Sequence, residues 1–471
     1  MTMLTMEGDR SMEKIRFSRE LPVSAVTDVL VVGAGPAGIC AGIAAARGGA
    51  QVLVLDGNGC VGGAATVNLV GPFMTTYDAR NEYMVIRGLF QEILEEMKAL
   101  GGAIDPAEIP AEHPRSGFYR IGHAHVGPFD HECYKRVCTK LLVRSGARLL
   151  LYTQFVEALL EDGRIAGVVI HNKNGLSVIR ARVVVDCTGD GDVAARAGVP
   201  FELGRVEDGN MQPATLFMRV NNVDTRRLWA HMREHREEIR PFYGPFSWLI
   251  REKAVKWGDV PRAEVCLFEG VTEGEYRLNV TRILDVDGTD AEDLTRAQVE
   301  GLRQAHKVFA FLKRYAVGFE EARLIDTAPA VGIRETRHIR GWYKLTGQDV
   351  QDCLVPEDSI AVMATNMDTH NKSDPGGTYY TLTKGRFFGV PYRCLLPMGV
   401  DNLMMAGRMI SADAMAASAI RMIPCCMAFG EAAGTAAALS LKQGVLPGDL
   451  DSKLLRGELR SRGVYLGEGE K

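Results

Sequence analysis

The sequence predicts an α/β protein in which a parallel sheet is interrupted by an inserted α+β domain. Short aliphatic runs at residues 29–32, 51–55, 181–187 and 402–406 have the composition of strands that are buried on both faces. Segments with helical spacing follow the first two runs, which is the order of a parallel sheet. The stretch between residues 200 and 400 mixes helix and strand patterns, so we expect it to form a separate unit.

A glycine-rich motif follows the first strand. Gly33, Gly35 and Gly38 have G-x-G-x-x-G spacing. The first glycine permits a tight turn, the second lets the backbone approach a pyrophosphate, and the third lets the helix lie against the strand. Pro36 suits the first helical turn, where its missing N–H costs nothing, and Asp56 ends the second strand where a carboxylate accepts hydrogen bonds from a ribose. Together these residues predict a Rossmann-like dinucleotide-binding domain.

The rest of this domain is predicted from periodicity and turn signals. Alternating runs separated by Asp-Gly and Asn-Gly turns predict a small antiparallel β-meander over residues 148–152, 156–160 and 165–170. Helices are predicted at residues 37–47, 87–100, 129–145 and, at the end of the domain, 424–442.

A second glycine motif raises the alternative of an additional NAD(P) domain. Gly189, Gly191 and Ala194 fit G-x-G-x-x-A. Gly198 and Pro200 stop the following helix after barely two turns, and no strand ending in an acid follows at the required distance. We therefore predict one dinucleotide domain.

The pattern divides the chain into four parts. These are an N-terminal extension (1–26), a discontinuous nucleotide domain (27–200 and 396–446), an inserted substrate domain (201–395) and a C-terminal tail (447–471). Within the inserted domain, helices are predicted at 226–238 and 291–315, and strands at 215–220, 264–268 and 276–280.

The composition argues against several classes of protein. Of the 471 residues 24% are charged and the net charge is −4, so we expect no nucleic-acid partner. The ten cysteines form no C-x-x-C pair, which predicts no metal site and favours reduced thiols in the cytoplasm. Residues 1–26 lack the apolar centre of a secretory signal. Pro424 and Gly430 interrupt the apolar run at 422–441, so we expect a packed helix and no membrane span.

The C-terminal half favours FAD over NAD as the dinucleotide. A strand, Gly407-Arg408 and a small-residue helix that starts near Pro424 return the chain to the first domain, an arrangement that brings a helix N-terminus to a flavin ring. From about residue 28 to 444 the chain resembles the FAD-dependent oxidoreductases of the glutathione-reductase-like superfamily. The motifs that carry the resemblance are Gly33-Ala-Gly-Pro-Ala-Gly38, Gly62-Gly-Ala-Ala-Thr66, Asp186-Cys-Thr-Gly-Asp-Gly-Asp192, Ile333-Arg-Glu-Thr-Arg337, Val390-Pro-Tyr-Arg-Cys-Leu-Leu-Pro397, Ala406-Gly-Arg408 and Ile423-Pro-Cys-Cys-Met-Ala-Phe-Gly-Glu-Ala-Ala-Gly434.

The resemblance implies a set of FAD-binding residues. It places the pyrophosphate beside Gly33 at Gly35, Pro36, Ala37 and Gly38, the ribose on Asp56, and the adenine at the backbone of Val156. Thr188 and Gly189 would cover the nucleotide half, and Gly62, Gly63 and Thr66 would make further contacts along the cofactor. The ribityl chain or ring would lie at Gly407, Arg408, Gly430, Glu431 and Ala432. The pair Cys425-Cys426 departs from the pattern, in which only the second cysteine is expected, and it leaves thiol chemistry at the flavin open.

Catalysis at a flavin also needs a base and a group that orients the substrate. His370 lies in a polar loop bounded by glycine and proline, and it is the candidate base; the alternative is a surface-loop histidine. Arg334 is a candidate substrate contact or a structural ion pair, and Tyr380 lines the pocket or packs in the core. The nearby His123, His125 and His131 match no zinc spacing and are interpreted as a polar loop.

The leading hypothesis is an FAD-dependent dehydrogenase or oxidase that acts on a small polar metabolite. Oxidation of a CH–OH carbon comes first, and of CH–NH or CH–CH next; oxygen, a quinone or a carrier protein would accept the electrons, and a homo-oligomer is left open. An electron-transfer subunit is less favoured because the C-x-x-C motifs of iron–sulfur clusters are absent. A flavin-dependent RNA-modifying enzyme would need a basic surface. A thiazole-synthase-like or halogenase-like reaction has no distinguishing residue here.

Overall fold

The structure of the protein, a computed structural model, describes residues 15–119, 122–206, 209–235, 265–370 and 378–467 together with residues 246, 249, 250, 253 and 261. The helices over these residues are α1 (Pro36–Arg47), α2 (Leu89–Ala99), α3 (His131–Arg144), α4 (Asp192–Arg196), α5 (Thr225–Glu234), α6 (Ala291–Tyr315), α7 (Gly347–Gln351), α8 (Ala414–Ile420), α9 (Ile423–Gln443) and α10 (Ser452–Ser461). The strands are β1 (Val23–Val32), β2 (Val52–Leu55), β3 (Arg148–Leu150), β4 (Gln154–Glu161), β5 (Arg164–Asn172), β6 (Gly175–Asp186), β7 (Phe201–Leu203), β8 (Met218–Asn221), β9 (Cys266–Glu269), β10 (Tyr276–Asn279), β11 (Arg323–Thr327), β12 (Arg337–Ile339), β13 (Ser359–Met363), β14 (Met367–Thr369), β15 (Thr378–Tyr380), β16 (Phe388–Pro391) and β17 (Leu403–Met405).

A parallel sheet forms the centre of the molecule, as the sequence predicts. Its strands lie in the order β3, β2, β1, β6 and β17, and all neighbouring pairs are parallel. Val31 is aligned with Val54 on one side and with Val185 on the other, and all three side chains are buried. β-branched residues suit such a sheet because helices cover both of its faces. The α/β class is therefore confirmed.

The antiparallel meander is present, but with a different first strand. The meander consists of β4, β5 and the first half of β6, whose second half belongs to the parallel sheet. The predicted first strand, at residues 148–152, instead forms β3 and pairs in parallel with β2, with Leu149 beside Val54. Sequence periodicity identified a strand there but carried no information about its partner.

The inserted unit has its own sheet and its own core. Its strands lie in the antiparallel order β11, β8, β10 and β9. Helix α6 covers this sheet with Phe311 and Leu312, which are fully buried together with Tyr276 and Leu278 of β10. The unit is therefore an α+β insertion. The predicted helix at residues 226–238 and the predicted strand at 264–268 extend in part outside the described residues.

The structure corrects two of the predicted domain limits. Residues from β12 onward were assigned to the inserted domain up to residue 395, but Ile360, Val362 and Phe388 pack into the core of the nucleotide domain. Residues 447–471 were predicted to be a tail, but α10 lies on the same core with Leu455 and Leu459 fully buried. In both places short apolar segments far apart in the sequence complete one core, which a local pattern does not show.

Helices α1 and α9 touch backbone to backbone. A Cβ atom on Gly430 would lie 2.0 Å from the carbonyl oxygen of Ala37, and one on Gly434 would lie 2.2 Å from that of Ala41. The absence of side chains at Gly430 and Gly434 is therefore what lets α1 and α9 approach each other. Among the described residues no single helix is long and apolar enough to cross a membrane; the pair α8 and α9 passes that test together, by length and composition, but is bent by 92°.

We expect Gly434→Ala to destabilise the protein by about 1–3 kcal/mol, because its methyl group has no space between the two helices. The measurement is the free energy of unfolding in urea, followed by circular dichroism. Gly457→Ala in α10 is the matched control, since its Cβ would meet no atom within 4 Å and alanine favours a helix by up to about 1 kcal/mol. A Gly434→Ala protein as stable as this control would contradict the close helix contact.

Candidate active site

A groove lies at the carboxyl ends of β1, β2, β6 and β17. This is the edge at which ligands bind in open α/β sheets. The predicted cofactor residues that line the groove are Gly33, Gly35, Pro36, Ala37, Asp56, Gly63, Thr188, Gly189, Gly407 and Arg408. These residues come from both ends of the sequence and meet because β17 pairs with β6 inside the parallel sheet.

Each of the three glycines of the first motif has a different physical role. Gly33 has a φ of +100°, and its Cβ would lie 2.5 Å from the carbonyl oxygen of Cys187. A Cβ on Gly38 would lie 1.8 Å from the carbonyl oxygen of Gly33. Gly35, by contrast, has an ordinary φ of −71°, and its Cβ would meet no atom within 4 Å. The space beside Gly35 is open groove at the N-terminus of α1, which fits a phosphate group.

Asp56 is fixed at the end of β2 by backbone donors. The N–H of Ala34 donates to its Oδ2 (2.6 Å), and the N–H of Asn58 donates to its Oδ1 (2.8 Å). The same carboxylate lines an adjoining cavity together with Gln154 and Val156. Val156 therefore lies beside Asp56 at the end of the groove where the resemblance places the adenosine.

Arg408 occupies the opposite part of the groove. Its Nη2 contacts Oδ1 of Asp190 at 2.5 Å, which holds the guanidinium in place beside Gly189. Its Nε is buried and has no hydrogen-bond partner among the described residues. A buried N–H without an acceptor is costly, so a ligand that supplies an acceptor fits this position. The open space at Gly35 and the Nε of Arg408 together fit an extended dinucleotide such as FAD.

Three predicted cofactor residues lie beneath the groove and shape it. Thr66 is buried, and its hydroxyl donates to the carbonyl oxygen of Val61 at 3.0 Å. Gly62 has a φ of +114° and donates its N–H to the carbonyl oxygen of Ala34. Gly38 lies within α1, and its lack of a side chain lets the helix approach the turn at Gly33. These residues set the backbone path of the glycine loops and are not among those that line the groove.

The assignment of Gly430, Glu431 and Ala432 to the cofactor is corrected. Gly430 faces α1, Ala432 is fully buried, and Oε2 of Glu431 accepts the N–H of Leu89 at 2.9 Å. The part of α9 that reaches the groove is its first turn, through Ile423 and Cys426. The motif identified the correct helix, but the segment chosen lies about two turns away from the N-terminus that faces the groove.

A second cavity of about 170 Å³ adjoins the Arg408 part of the groove. Arg408, Arg421, Asn68 and Ile423 line both spaces. The other polar residues on the cavity wall are Tyr119, His123, Thr215, Cys266, Asn279, Arg334, Asp368, His370 and Tyr379. The structure therefore brings His370 and Arg334, two of the three candidate catalytic residues, to one cavity.

His370 and Asp368 form a close pair on this wall. Nε2 of His370 lies 3.2 Å from Oδ1 of Asp368, and the His370 side chain is 9% exposed. Burial acts to raise the pKa of Asp368, but the charges of His370, Arg421 and Arg334 outweigh burial and hold that pKa well below its usual range. Asp368 is therefore ionised, and its Oδ1 makes a close charge contact with the imidazole ring without hydrogen-bond geometry.

The third candidate, Tyr380, does not line the cavity. In the hairpin of β14 and β15, Tyr379 is opposite Asp368, whereas Tyr380 is opposite Met367. Adjacent residues of a strand point to opposite faces, so Tyr379 reaches the cavity and Tyr380 is 43% exposed. The prediction selected the wrong member of an adjacent pair, because register is not visible in the sequence.

The sequence reasoning missed two other wall residues. Arg421 precedes α9, and its Nη2 donates to the carbonyl oxygen of Asp368 at 3.2 Å. His123 was interpreted as one of a polar cluster, but it lines the cavity, while His125 stacks on Tyr77 with ring centroids 4.1 Å apart. Burial lowers the pKa of His123 to about 4, so His123 is neutral at pH 7. A cation directly before the helix that returns to the flavin domain was the available signal for Arg421.

Comparison with known proteins identifies the class of enzyme. A model of the FAD-dependent oxidoreductase family matches residues 28–459. The chain therefore belongs to the FAD-dependent oxidoreductase family, and its predicted cofactor is confirmed as FAD. Its place in the glutathione-reductase-like superfamily stays a prediction.

Two curated relatives show partial similarity. The thiamine thiazole synthase of Aeropyrum pernix is 32% identical over 201 residues, which cover 40% of this chain and 63% of that protein. Digeranylgeranylglycerophospholipid reductase 1 of Methanopyrus kandleri is 31% identical over 169 residues, or 34% of this chain and 39% of that protein. The matched stretches span less than two thirds of the length of either relative.

Solved structures with low sequence identity also align with this chain. The L-proline dehydrogenase from P. horikoshii is 14% identical with a TM-score of 0.44, covering 94% of this chain and 99% of that one. The p-nitrophenol 4-monooxygenase from Pseudomonas putida DLL-E4 is 11% identical with a TM-score of 0.47, covering 95% and 90% respectively.

We expect Gly35→Ala to weaken FAD binding while the FAD-free protein keeps its stability. The methyl group would enter open groove and clash with no protein atom, so only the cofactor would be displaced. The dissociation constant for FAD, measured by fluorescence quenching, should rise by at least about tenfold, or roughly 1.4 kcal/mol. An unchanged dissociation constant, with unchanged stability in thermal unfolding, would show that the pyrophosphate does not lie there.

Glu431 makes the stability of the protein depend on pH. Burial raises its pKa from 4.5 to about 7, so the folded protein holds a proton that the unfolded chain releases. This contribution is present below about pH 4.5 and is lost as the pH rises towards 7. We expect Glu431→Gln, whose amide oxygen still accepts the N–H of Leu89, to be more stable than the wild type at pH 8 by on the order of 1–3 kcal/mol.

The measurement is the free energy of unfolding of both proteins at pH 5 and pH 8, at saturating FAD. Glu95→Gln is the control, because the Glu95 side chain is 55% exposed on α2. If the wild type and Glu431→Gln lose the same stability between the two pH values, the carboxyl of Glu431 ionises normally and this account is wrong.

Proposed function

We propose that this FAD-dependent oxidoreductase is a dehydrogenase or oxidase that oxidises the CH–OH carbon of a small polar metabolite, with His370 as the general base. One observation carries the proposal. The cavity that contains the His370–Asp368 pair shares Arg408 and Arg421 with the groove assigned to FAD. A substrate in this cavity would lie between the base and the flavin end of the groove.

The groove residues suggest how FAD would be held. Asp56 and Val156 would bind the adenosine half, and the N-terminus of α1 at Gly35 the pyrophosphate. The flavin, when bound, supplies a hydride acceptor at N5. Arg408 and the first turn of α9, at Ile423, would stabilise the negative charge that hydride transfer brings to this end of the groove.

The base would be oriented by the Asp368 carboxylate. Nε2 of His370 faces Oδ1 of Asp368, so Nδ1 is the ring nitrogen that would take the proton of the substrate hydroxyl. The ionised Asp368 then stabilises the imidazolium that forms. His123 on the same wall is neutral at pH 7, so it adds a hydrogen-bonding group to the cavity without adding a charge.

Two other reactions are weaker candidates. An electron-transfer subunit would pass electrons from the flavin to a partner protein, whereas the cavity beside the groove favours a small-molecule substrate. Oxidation of a CH–NH carbon would use the same base and remains the alternative reaction of this site. The synthase and reductase activities that name the two curated relatives belong to proteins of which less than two thirds is matched.

We expect His370→Asn to bind FAD normally and to slow anaerobic flavin reduction by about 10²–10⁴-fold, the typical contribution of a general base. The rate is measured as bleaching of the flavin absorbance after rapid mixing with substrate. His306→Asn, at an exposed position on α6, is the matched control and should reduce its flavin at the wild-type rate. An unchanged rate in His370→Asn would exclude its role as the base.

A further inference from the structure

We propose that the substrate is a small 2-hydroxy carboxylate whose carboxylate group binds Arg421. The inference rests on the proposed function and names its substrate class. Three observations carry it: the charge of the cavity wall, the environment of Arg421, and the position of Arg421 relative to His370.

The described part of the cavity wall has more cationic than anionic side chains. Arg334, Arg408 and Arg421 contribute three cations, and Asp368 contributes one carboxylate. Arg408 is balanced by Asp190 from outside the cavity, and the charge of the buried Glu335 acts on Arg421 together with that of Asp368. Three guanidinium groups on one cavity wall offer charge-assisted hydrogen bonds to a small anion, and these are stronger than hydrogen bonds to a neutral sugar or alcohol.

The environment of the Arg421 side chain suits the binding of an anion. Its side chain is only 10% exposed, so its guanidinium is almost fully removed from water. Nη2 lies 3.2 Å from the carbonyl oxygen of Asp368 and 3.6 Å from its Oδ2, which fixes the plane of the group. Nε is buried and has no hydrogen-bond partner among the described residues. A carboxylate would supply the missing acceptor, and guanidinium groups bind carboxylates through two parallel hydrogen bonds.

The separation between base and anion site limits the substrate further. Nε2 of His370 and Nη2 of Arg421 both lie within 4 Å of oxygen atoms of the same side chain, Asp368. His370 and Arg421 therefore lie on the same part of the cavity wall, where one small substrate can contact both. A 2-hydroxy acid has the oxidised carbon directly bonded to the carboxylate, and its size suits a cavity of about 170 Å³.

The reaction balances with the groups available. The C–H and O–H bonds at the 2-position break, and the second bond of a C=O group forms. The hydride carries two electrons to the bound flavin, and the hydroxyl proton passes to His370. The substrate is oxidised to a 2-oxo carboxylate while the flavin is reduced, and the carboxylate stays on Arg421 throughout.

The test uses FAD-loaded protein without oxygen and matched pairs of charged and neutral compounds. The acids are glycolate, lactate, 2-hydroxybutyrate and malate, and the neutral partners are glycolamide and lactamide. We expect one or more of the acids to bleach the flavin and both amides to be inactive. Isothermal titration with pyruvate and pyruvamide, which the oxidised flavin does not oxidise, measures binding of the carboxylate separately from turnover.

Variants at Arg421 assign the carboxylate to this residue. We expect Arg421→Gln to lose about 100-fold in kcat/KM for the acid and in affinity for pyruvate, the size of effect that follows removal of one partner of a buried charge pair. Arg421→Lys should retain part of both. FAD content should stay at the wild-type level. Arg340→Gln, at a position that is 57% exposed and paired with Glu202, is the matched control and should behave as the wild type.

Three results would overturn the inference. Flavin reduction by an amide, a sugar or an amine but by none of the acids would exclude a carboxylate substrate, while leaving an FAD-dependent oxidoreductase. Loss of FAD from Arg421→Gln would assign Arg421 to the cofactor. Failure of pyruvate and of all four acids to bind the wild type would exclude the anion site itself. Failure of the proposed function would instead appear as unchanged flavin reduction in His370→Asn.

Discussion

The backbone contact between α1 and α9 determines where the ligands of this protein can lie. Ala37 faces Gly430 and Ala41 faces Gly434, so the two helices run in the same direction. Since α9 begins at Ile423, two turns before Gly430, its N-terminus extends about 10 Å beyond that of α1. Two positive helix ends therefore point into one groove at different depths. The first lies at the phosphate position beside Gly35, and the second lies where the groove meets the second cavity.

The same contact explains why distant parts of the sequence share one site. The first glycine motif supplies the near end of the groove, and the segment from β17 to α9 supplies the far end. The inserted unit closes the second cavity from the other side with Thr215, Phe217 and Asn279. The inserted unit also lines the FAD groove, with Leu294 and Gln298 of α6 and with Ala330. Both the cofactor groove and the second cavity therefore lie where the nucleotide domain meets the insertion.

Much of the nucleotide domain could be predicted from local signals, because its requirements are local. Gly33 needs its positive φ, Gly38 must lie against a carbonyl group, and Asp56 must end a strand. Each of these requirements is visible in the sequence within a few residues. The errors have a different origin. Tyr380 was chosen over Tyr379 because strand register decides which of two neighbours faces the cavity. Glu431 was assigned to the cofactor because a motif identifies a helix but does not show which turn of that helix reaches a ligand. Register and helix depth are tertiary properties, and no local pattern encodes them.

Asp368 shows most clearly why the catalytic half of the site was harder to predict. It was read only as part of a polar loop, and its contact with Arg421 joins positions 53 residues apart. In the folded chain this single carboxylate lies against both His370 and Arg421. Without its charge, the buried guanidinium of Arg421 would lose the carboxylate that lies 3.6 Å from its Nη2. With it, the imidazole and the guanidinium both contact one carboxylate, and arginines still outnumber carboxylates on the described cavity wall. The base and the anion site that we propose are therefore parts of one electrostatic unit centred on Asp368.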